Sequence, residues 1–499
     1  MELQFESSAC RCLDAAARDI RTAELTQEVR LGDAQPDIGR VLTSWGQVIL
    51  RAKEWQTGLV TVTGGIMTWI LYAPEDGTQP RCVDTWIPFQ LRWDIADEKR
   101  EGPIRIHPLL RFVDSRGISA RKMMVRAGVA AMGEALSPVS IEVFRPCELP
   151  QDIEILQNTY PVRLPKEAGE KTFLLDEDLT LPAGTPPMER LLAYTVHPQT
   201  QDLRVSGDKV IMRCSGRVHL IYRCPEGRIR TIDLEIPISQ YAQLEETYGN
   251  DAQAEVAMGV TSLEVDQLEG DRLRLKCGLV AQYLISDRFL AELTEDAYST
   301  IREVALHTEQ LHLPAMQEKR TESVPVRQQM QGISADVADV CFLPDFPRQS
   351  RAGDKVMLDL TGQFQILYYA SDDSLQSASS RWEGAMQILA DPETEMVFSV
   401  QPQGTVQVLS GAEELNLSSQ YGVQMCASVP YEMPMITELD IGAERERDPA
   451  RPSLILCRSD GESLWEMAKR CGSTVGAIRR ANGLTGEAQD NRMLLVPLN

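Results

Sequence analysis

The chain lacks the sequence motifs that mark most catalytic and nucleotide-binding sites. Its 499 residues contain no G-x-x-x-x-G-K-[ST] phosphate loop, no G-x-G-x-x-G after a predicted strand, no H-E-x-x-H zinc helix and no G-x-S-x-G nucleophile turn. The five histidines include no pair with the spacing of metal ligands, and we expect them at the surface. These absences predict a protein that is not an enzyme and holds no cofactor or metal. A hydrolase with paired carboxylates in one of its sheets stays open as an alternative, because acidic residues are abundant.

Long apolar runs and a leader pattern are also missing. No stretch approaches the roughly 20 apolar residues that a membrane-spanning helix needs, so we expect no membrane insertion. The first residues, MELQFESSACRCLDAAARDIR, carry acids early, which is not the pattern of a signal peptide. The 11 cysteines include no C-x-x-C pair, and Cys10 with Cys12 is too small a set for structural zinc. We therefore expect free cysteines in a reducing cytoplasm.

Positive charge is in short supply. The chain has 50 Lys and Arg against 73 Asp and Glu, a formal net charge of −23. Because nucleic-acid affinity depends on basic neutralisation of phosphates, this balance argues against a nucleic-acid partner, and equally against adhesion to anionic lipid. One basic cluster is interpreted as the solvated face of strands, with a docking patch for an acidic partner as the alternative; it comprises Arg111, Arg116, Arg121, Lys122 and Arg126.

What the chain does contain is one pattern three times. VTVTGGIMTWILY at residues 60–72 returns as VIMRCSGRVHLIY at 210–222 and as VMLDLTGQFQILY at 356–368, at spacings of 150 and 146 residues. The tetrapeptide GDKV at 207–210 is repeated unchanged at 353–356. Periods this long are typical of tandem domains, because the repeats of solenoids are only about 20–50 residues long.

Each copy has the pattern of antiparallel β-structure. Apolar residues alternate with polar ones, so that Val218, Leu220 and Tyr222 share one face of a strand. Turns rich in Pro, Asp and Gly follow, such as PEG at 225–227, and another apolar strand returns behind them. The predicted fold class is mainly β, with three tandem antiparallel β domains, each a sandwich or a twisted sheet. For residues 289–306 a helix and a strand fit the apolar spacing equally well.

Composition sets the predicted boundaries. Prolines punctuate residues 149–187 and, together with a run of charges, residues 430–452. We interpret these stretches and residues 287–331 as extended connectors. The predicted organisation is an arm or short helix at 1–25, β domains at 26–148, 149–286 and 287–429, a linker at 430–452 and a separate module at 453–499.

Residues 453–499 have a different pattern, typical of a small mixed module. Ser463 and Glu466 fit the S-x-x-E capping box that starts a helix, and apolar residues at helical spacing follow. The predicted order is β-α-α-β, with strands at 454–457 and 493–496 and with helices that start after Ser463 and Thr474 and end at Gly472 and Asn482.

Spaced motifs in this module carry a family resemblance. GESLWEMA at 461–468 resembles the LysM opening G-D-T-L-W-x-I-A, IRRANGL at 478–484 resembles its L-x-x-x-N-G-L, and LLVP at 494–497 its closing L-x-I-P. LysM modules typically bind N-acetylglucosamine polymers in a shallow groove between the loop before the first helix and the loop after the second. An exposed Trp465 would be a recognition anchor, whereas a buried one would be packing. The resemblance implies a glycan- or partner-binding groove at Gly461, Glu462, Ser463, Trp465, Asn482, Gly483 and Leu484.

The three copies resemble a known domain as well. PDIGRVL at 36–42, SRGISARK at 115–122 and DAYS at 296–299 are similar to motifs of SPOCS domains, which occur in spore-forming Firmicutes. Three such domains followed by a LysM module resemble the spore envelope morphogenesis proteins of the SipL type. The resemblance implies a non-enzymatic scaffold for spore coat assembly, in the mother-cell cytoplasm at the forespore surface. It also implies that the LysM module docks on the morphogenetic ATPase of the coat basement layer.

A second function fits the same module. A cell-wall protein that binds peptidoglycan through its N-acetylglucosamine polymers is the alternative to a spore coat scaffold. The missing export signal and the free cysteines favour the scaffold. Its expected partners are spore coat proteins, with neither nucleic acid nor lipid among them.

Overall fold

Antiparallel β-sheet makes up most of the chain. The computed structural model describes residues 2–3, 5–147, 149–333, 336–392, 394–410, 414–446, 451–459, 461–486 and 492–498. Within them the strands form several antiparallel sheets, and two short helices lie between residues 464 and 482. The prediction of a mainly β chain is confirmed. No helix among the described residues is both long and apolar enough to cross a membrane.

One kind of sheet is built from long strands. In each of three segments, which span residues 5–146, 153–299 and 302–444, the opening strand pairs with the closing strand. The closing strand also pairs with the strand before it. These strands are β2 (Phe5–Arg30), β6 (Ile104–Ser119) and β7 (Lys122–Pro146) in segment one; β8 (Ile153–Thr180), β11 (Gln253–Gln267) and β12 (Arg272–Ser299) in segment two; and β13 (Arg302–Gln331), β18 (Glu395–Ser410) and β19 (Glu414–Glu444) in segment three.

A second kind of sheet is a hairpin array in the middle of each segment. Its strands are β3 (Ile38–Gln56), β4 (Leu59–Pro74) and β5 (Arg81–Asp94) in segment one; β9 (Arg190–Arg223) and β10 (Ile229–Tyr248) in segment two; and β14 (Asp336–Pro344), β15 (Arg348–Ala352), β16 (Lys355–Tyr369) and β17 (Leu375–Leu389) in segment three. Strands β14 and β15 pair with successive parts of β16, as the single strand β3 pairs along β4.

Strand β9 turns back on itself. The backbone N–H of Glu189, just before the strand, donates to the carbonyl of Arg223, its last residue, at 2.8 Å. Gly207 within the strand has φ 62°, and Gly353 in the turn between β15 and β16 has φ 63°. Both glycines open the repeated GDKV tetrapeptide, and glycine adopts a positive φ without strain. The pattern that is repeated in the sequence therefore lies in the middle strand of the hairpin array in all three segments.

The tyrosine that ends the repeated pattern makes the same hydrogen bond in two segments. The Tyr72 hydroxyl donates to the Pro36 carbonyl at 3.2 Å, and the Tyr222 hydroxyl donates to the Pro186 carbonyl at 3.1 Å. The two prolines are 150 residues apart, as are the two tyrosines. The equivalence of the first two segments therefore extends to the stretch that leads into each hairpin array.

The two sheets of each segment face each other across an apolar core. In segment three, Val356, Leu358 and Leu360 of β16 are at most 2% exposed, and they pack in one cluster with Leu415 and Leu417 of β19. Alternation along the strand places these side chains on one face. Segments one and two bury equivalent clusters between their own sheets.

The three segments meet along a common axis. Leu71, Ile221 and Leu367, which occupy equivalent positions of the repeated pattern, pack in one buried cluster. Strand β1 (Glu2–Leu3) pairs with β19, with Leu3 opposite Leu439, and so joins the start of the chain to segment three. A further cluster of the long strands again takes residues from all three segments; it comprises Cys12, Ile141, Val143, Val162, Leu164, Ala291, Leu293, Leu311, Leu313, Met433 and Met435.

Several predicted boundaries fall inside strands. Of residues 1–25, which were expected to form an arm or short helix, residues 5–25 lie in β2, which pairs along the whole of β7, and Glu2–Leu3 form β1; residues 1 and 4 lie outside the described residues. Residues 289–306, for which a helix fitted equally well, are strand in β12 and β13 except for a short bend between them. Most of the expected connector sequence is paired strand, since Pro161 of β8 lies opposite Leu290 of β12, although residues 181–187 lie outside any strand. The expected linker at 430–452 begins as strand, because β19 continues to Glu444.

The terminal module runs strand, helix, helix, strand. Its elements are β20 (Leu454–Arg458), α1 (Leu464–Cys471), α2 (Val475–Asn482) and β21 (Met493–Pro497). Strands β20 and β21 pair antiparallel, and buried residues of both helices pack against them. Ser463 and Glu466 form the capping box of α1, and Gly472 ends the helix with φ 66°.

Candidate functional site

The first predicted loop of the groove is held by its own helix. The Ser463 hydroxyl accepts from the Glu466 backbone N–H at 3.2 Å and so caps α1. The Glu462 carboxylate pairs with Arg470, with 2.6 Å between Oε1 and Nη2. Gly461 has φ 78°, a conformation that favours glycine. All three residues therefore have a structural role in or beside this helix.

The second predicted loop is fastened to the sheet of the module. The Asn482 side-chain amide donates to the carbonyls of Ile478 at 2.8 Å and Leu495 at 2.7 Å, and its oxygen accepts from the Leu495 N–H at 2.8 Å. Gly483 ends α2 with φ 61°, and Leu484 packs against the module's core. These bonds explain the N-G-L pattern by packing and capping, and none of them joins the two loops.

Trp465 holds the module against segment two. Its ring packs on Tyr298 in an edge-to-face arrangement, with 4.9 Å between centroids, and its Nε1 donates to Asp296 Oδ2 at 2.7 Å. The Lys469 ammonium pairs with the same carboxylate at 2.6 Å. The Tyr298 hydroxyl in turn donates to the Ser473 carbonyl at 2.9 Å. Trp465 is neither fully exposed nor fully buried, and its contacts are with the chain's own Asp296 and Tyr298.

Replacing Asp296 with alanine is expected to loosen the terminal module from segment two. The variant removes the charged acceptor of a half-buried indole N–H, which contributes about 1–3 kcal/mol, and an exposed pair with Lys469, which contributes less than about 1 kcal/mol. Hydrogen exchange of the α1 amides in the full chain should become about tenfold faster or more.

Glu295→Ala is the matched control for this variant. The Glu295 carboxylate accepts from Asn158 at 2.7 Å and contacts Tyr160, so it is directed away from the module. Exchange of the α1 amides should therefore be unchanged in Glu295→Ala. Equal exchange in Asp296→Ala and the unmodified chain would show that Asp296 does not hold the module.

The outer face of the β20–β21 sheet is apolar and exposed. Alternate side chains of a strand point in opposite directions, so Ile455 and Val496 contribute to the core of the module. Sequence reasoning missed the opposite face of this sheet. In LILC and MLLV the odd-numbered and the even-numbered positions are both apolar, so the sequence predicts two apolar faces for each strand. We call it the apolar face; its residues are Leu454, Leu456, Met493 and Leu495, which are 48%, 63%, 54% and 36% exposed.

Charge also separates this module from the remainder of the chain. Residues 453–499 have six Lys and Arg against five Asp and Glu, a net charge of +1, so the other residues carry −24 of the total of −23. Arg458 alternates with Leu454 and Leu456 on β20, and Arg492 is exposed just before β21. The apolar face is therefore bordered by basic residues in an otherwise acidic protein.

A cavity of about 370 Å³ lies where the three segments meet. Each segment contributes the same two stretches, since the lining residues Trp45, Thr195 and Cys341 are separated by 150 and 146 residues. The same spacings separate a second set, Leu110, Val260 and Val406. We call this space the axial cavity.

A buried ionic network forms part of the cavity wall. His219 pairs through Nδ1 with Asp233 at 2.6 Å and through Nε2 with Asp339 of segment three at 3.1 Å. The Trp45 Nε1 of segment one donates to the other oxygen of Asp339 at 2.7 Å. Burial by itself would lower the pKa of His219, but the hydrogen bonds to both carboxylates outweigh it and raise the pKa to about 10. Side chains of all three segments thus meet at one charged imidazole.

The prediction that the histidines lie at the surface is wrong for three of them. His107, His197 and His219 are partly buried and line the axial cavity. Burial lowers the pKa of His107, and burial together with nearby Arg217 lowers the pKa of His197 to about 4. The sequence holds no local signal for this, because the partners of His219 are 14 and 120 residues away.

Neither the placement of possible metal ligands nor comparison with known proteins identifies the site further. Within the part of the chain that the structure describes, no group of three or more His, Cys, Asp and Glu side chains is placed to hold a metal ion. Comparison of the chain with protein-family models, with curated proteins and with solved structures found no match.

Proposed function

We propose that the chain is a non-enzymatic scaffold made of three tandem copies of one SPOCS-like β domain and a LysM-like docking module. The strand order that recurs in the three segments supports the tandem copies. The repeated hydrogen bond from Tyr72 to Pro36 and from Tyr222 to Pro186 supports them at the level of side chains. The strand–helix–helix–strand order and the capped helices support the LysM-like module.

The apolar face is the observation that carries the docking role. Contiguous exposed apolar side chains on a folded surface commonly mark an interaction site. A few residues that a partner buries completely supply most of the affinity of a typical interface. The basic residues at the border fit carboxylates, so the partner is a protein surface with apolar side chains flanked by acids.

The attachment of the module to segment two suits this role. The contacts of Trp465 and Lys469 with Asp296 fix the orientation of the module on the remainder of the scaffold. A fixed module loses less conformational entropy when its partner binds than a module on a free tether would. The scaffold would thereby set the position of the partner as well as capture it.

The family resemblance suggests which partner to test. We propose that the module docks on the morphogenetic ATPase of the spore coat basement layer, in the mother-cell cytoplasm at the forespore surface. The alternative, binding of peptidoglycan, is favoured by one observation only: Gly461, Ser463 and Gly483 of the two loops are exposed.

A binding assay with two purified probes tests the proposal. The full chain and a chain without residues 453–499 are mixed with the purified coat ATPase and, separately, with purified peptidoglycan. We expect the full chain to bind the ATPase and the shortened chain to lose this binding, while its far-ultraviolet circular dichroism keeps the β signal. Retention on peptidoglycan alone would replace the docking role with the cell-wall role, and ATPase binding by the shortened chain would contradict it.

A further inference from the structure

We infer that the axial cavity is a binding site for a small organic anion, a carboxylate with an apolar body, and that Arg217 is its charged anchor. The inference concerns the junction of the three segments, so it goes beyond the proposed docking function and does not depend on it. It rests on the size of the cavity, on the charge balance of its wall and on the arrangement of its apolar side chains.

The size of the cavity suits a small ligand. Its volume of about 370 Å³ falls within the range of roughly 300–1,000 Å³ that is typical of ligand sites. A second cavity of about 590 Å³ adjoins it and shares His107, Pro198 and Met258 with its lining. The junction between the segments is therefore more open than the close-packed cores on either side of it.

Segment two alone places a guanidinium in this wall. At the positions equivalent to Arg217, separated by 150 and 146 residues, segments one and three have Met67 and Gln363. Arg217 lines the axial cavity, whereas neither of these two residues does. A gap left by imperfect packing of three copies would be expected to be apolar, because polar groups in such a place need partners.

The ionised groups of the wall satisfy one another except for Arg217. His219 holds both Asp233 and Asp339, so these three groups together leave one negative charge. Arg217 balances that charge at longer range and helps to lower the pKa of Asp233, but it forms no hydrogen bond or ion pair with a described residue. A half-buried guanidinium with open donors is the group that binds carboxylates best, through two parallel hydrogen bonds.

The remaining wall offers a surface for an apolar body. Leu110, Val260 and Val406 occupy equivalent positions and bring one branched side chain from each segment to the cavity. Val340 and Phe342 of segment three lie in the same wall. His107 and His197 are uncharged at neutral pH, since burial lowers the pKa of both. The wall thus places one available cation beside a group of apolar side chains. This combination fits a short-chain acid better than a polyanion.

Titration of the full chain with octanoate tests this site. We expect one octanoate per chain by calorimetry, and weaker binding of 1-octanol, which has the same body without the charge. Arg217→Met should weaken octanoate binding by about 10- to 100-fold, because a charge-assisted pair is lost, and Arg217→Lys should recover part of it. Arg213→Met is the matched control, since Arg213 is exposed on the same strand and does not line the cavity.

The outcomes separate this site from the docking module. Octanoate that binds the unmodified chain and Arg217→Met equally, or 1-octanol that binds as tightly as octanoate, would overturn the inference. So would the absence of octanoate binding to a chain with unchanged circular dichroism. Loss of ATPase binding in the chain without residues 453–499, with octanoate binding retained, would support both proposals separately.

Discussion

Substitution of His219 by leucine is expected to lower the free energy of unfolding by about 3–5 kcal/mol at pH 7. The variant leaves Asp339, whose side chain is 4% exposed, without its cation at the junction of segments two and three. A buried carboxylate that loses its partner keeps the full cost of its desolvation, because the Trp45 N–H alone carries no charge. Urea unfolding followed by circular dichroism measures the difference.

The pH dependence of this effect has a definite sign. The pKa of His219 is about 10 in the folded chain, against 6.5 for a free histidine. The protonated imidazole therefore stabilises the folded state fully below pH 6.5, and this contribution disappears as the pH rises from 6.5 to 10. The difference in unfolding free energy between the unmodified chain and His219→Leu should accordingly shrink across that window.

His307→Leu is the control for this experiment. His307 pairs with Asp440 at 3.1 Å, but both side chains are more than half exposed. An exposed pair of this kind contributes less than about 1 kcal/mol. If the two variants lowered stability equally, the buried network would not be a major source of stability.

Aspartate at both Leu456 and Leu495 is expected to weaken binding to the proposed ATPase partner by about 100-fold or more. Each substitution removes an apolar contact from the centre of the apolar face and adds a negative charge opposite an acidic partner. Both leucines are exposed in the free chain, at 63% and 36%, so the stability of the module should change little. Binding of the purified double variant and of the unmodified chain to surface-immobilised ATPase measures the two affinities.

Leu174→Asp provides the matched control for the double variant. Leu174 lies on β8 and is 62% exposed, close to the exposure of Leu456, but it lies outside the terminal module. Binding should be unchanged in this control. Unchanged binding in the double variant as well would place the docking surface elsewhere on the module, for example at its two loops.

Local sequence patterns were enough to predict many of the strands and the two helices. The alternation that includes Val218, Leu220 and Tyr222 predicted strands, and the pair Ser463 and Glu466 predicted the start of a helix. Both patterns depend on residues only two or three positions apart, so no knowledge of the tertiary structure was needed. The repeat spacings of 150 and 146 residues then predicted equivalent positions, and these meet along the axis.

Features that depend on distant partners could not be predicted in this way. Trp465 is held by Asp296, which is 169 residues away, so its role could not be decided from its neighbours. Strand β2 is rich in alanine and polar residues, and its pairing with β7 determines its conformation more than its own weak apolar pattern does. The axial cavity belongs to three segments at once and therefore has no signature in any one of them.

The pairing of Leu3 with Leu439 has a consequence for synthesis on the ribosome. Leu3 must wait for its neighbour until β19 has been translated, long after segments one and two are complete. During that interval the edge of the nascent sheet is open to other chains, which makes newly made protein vulnerable to misassembly.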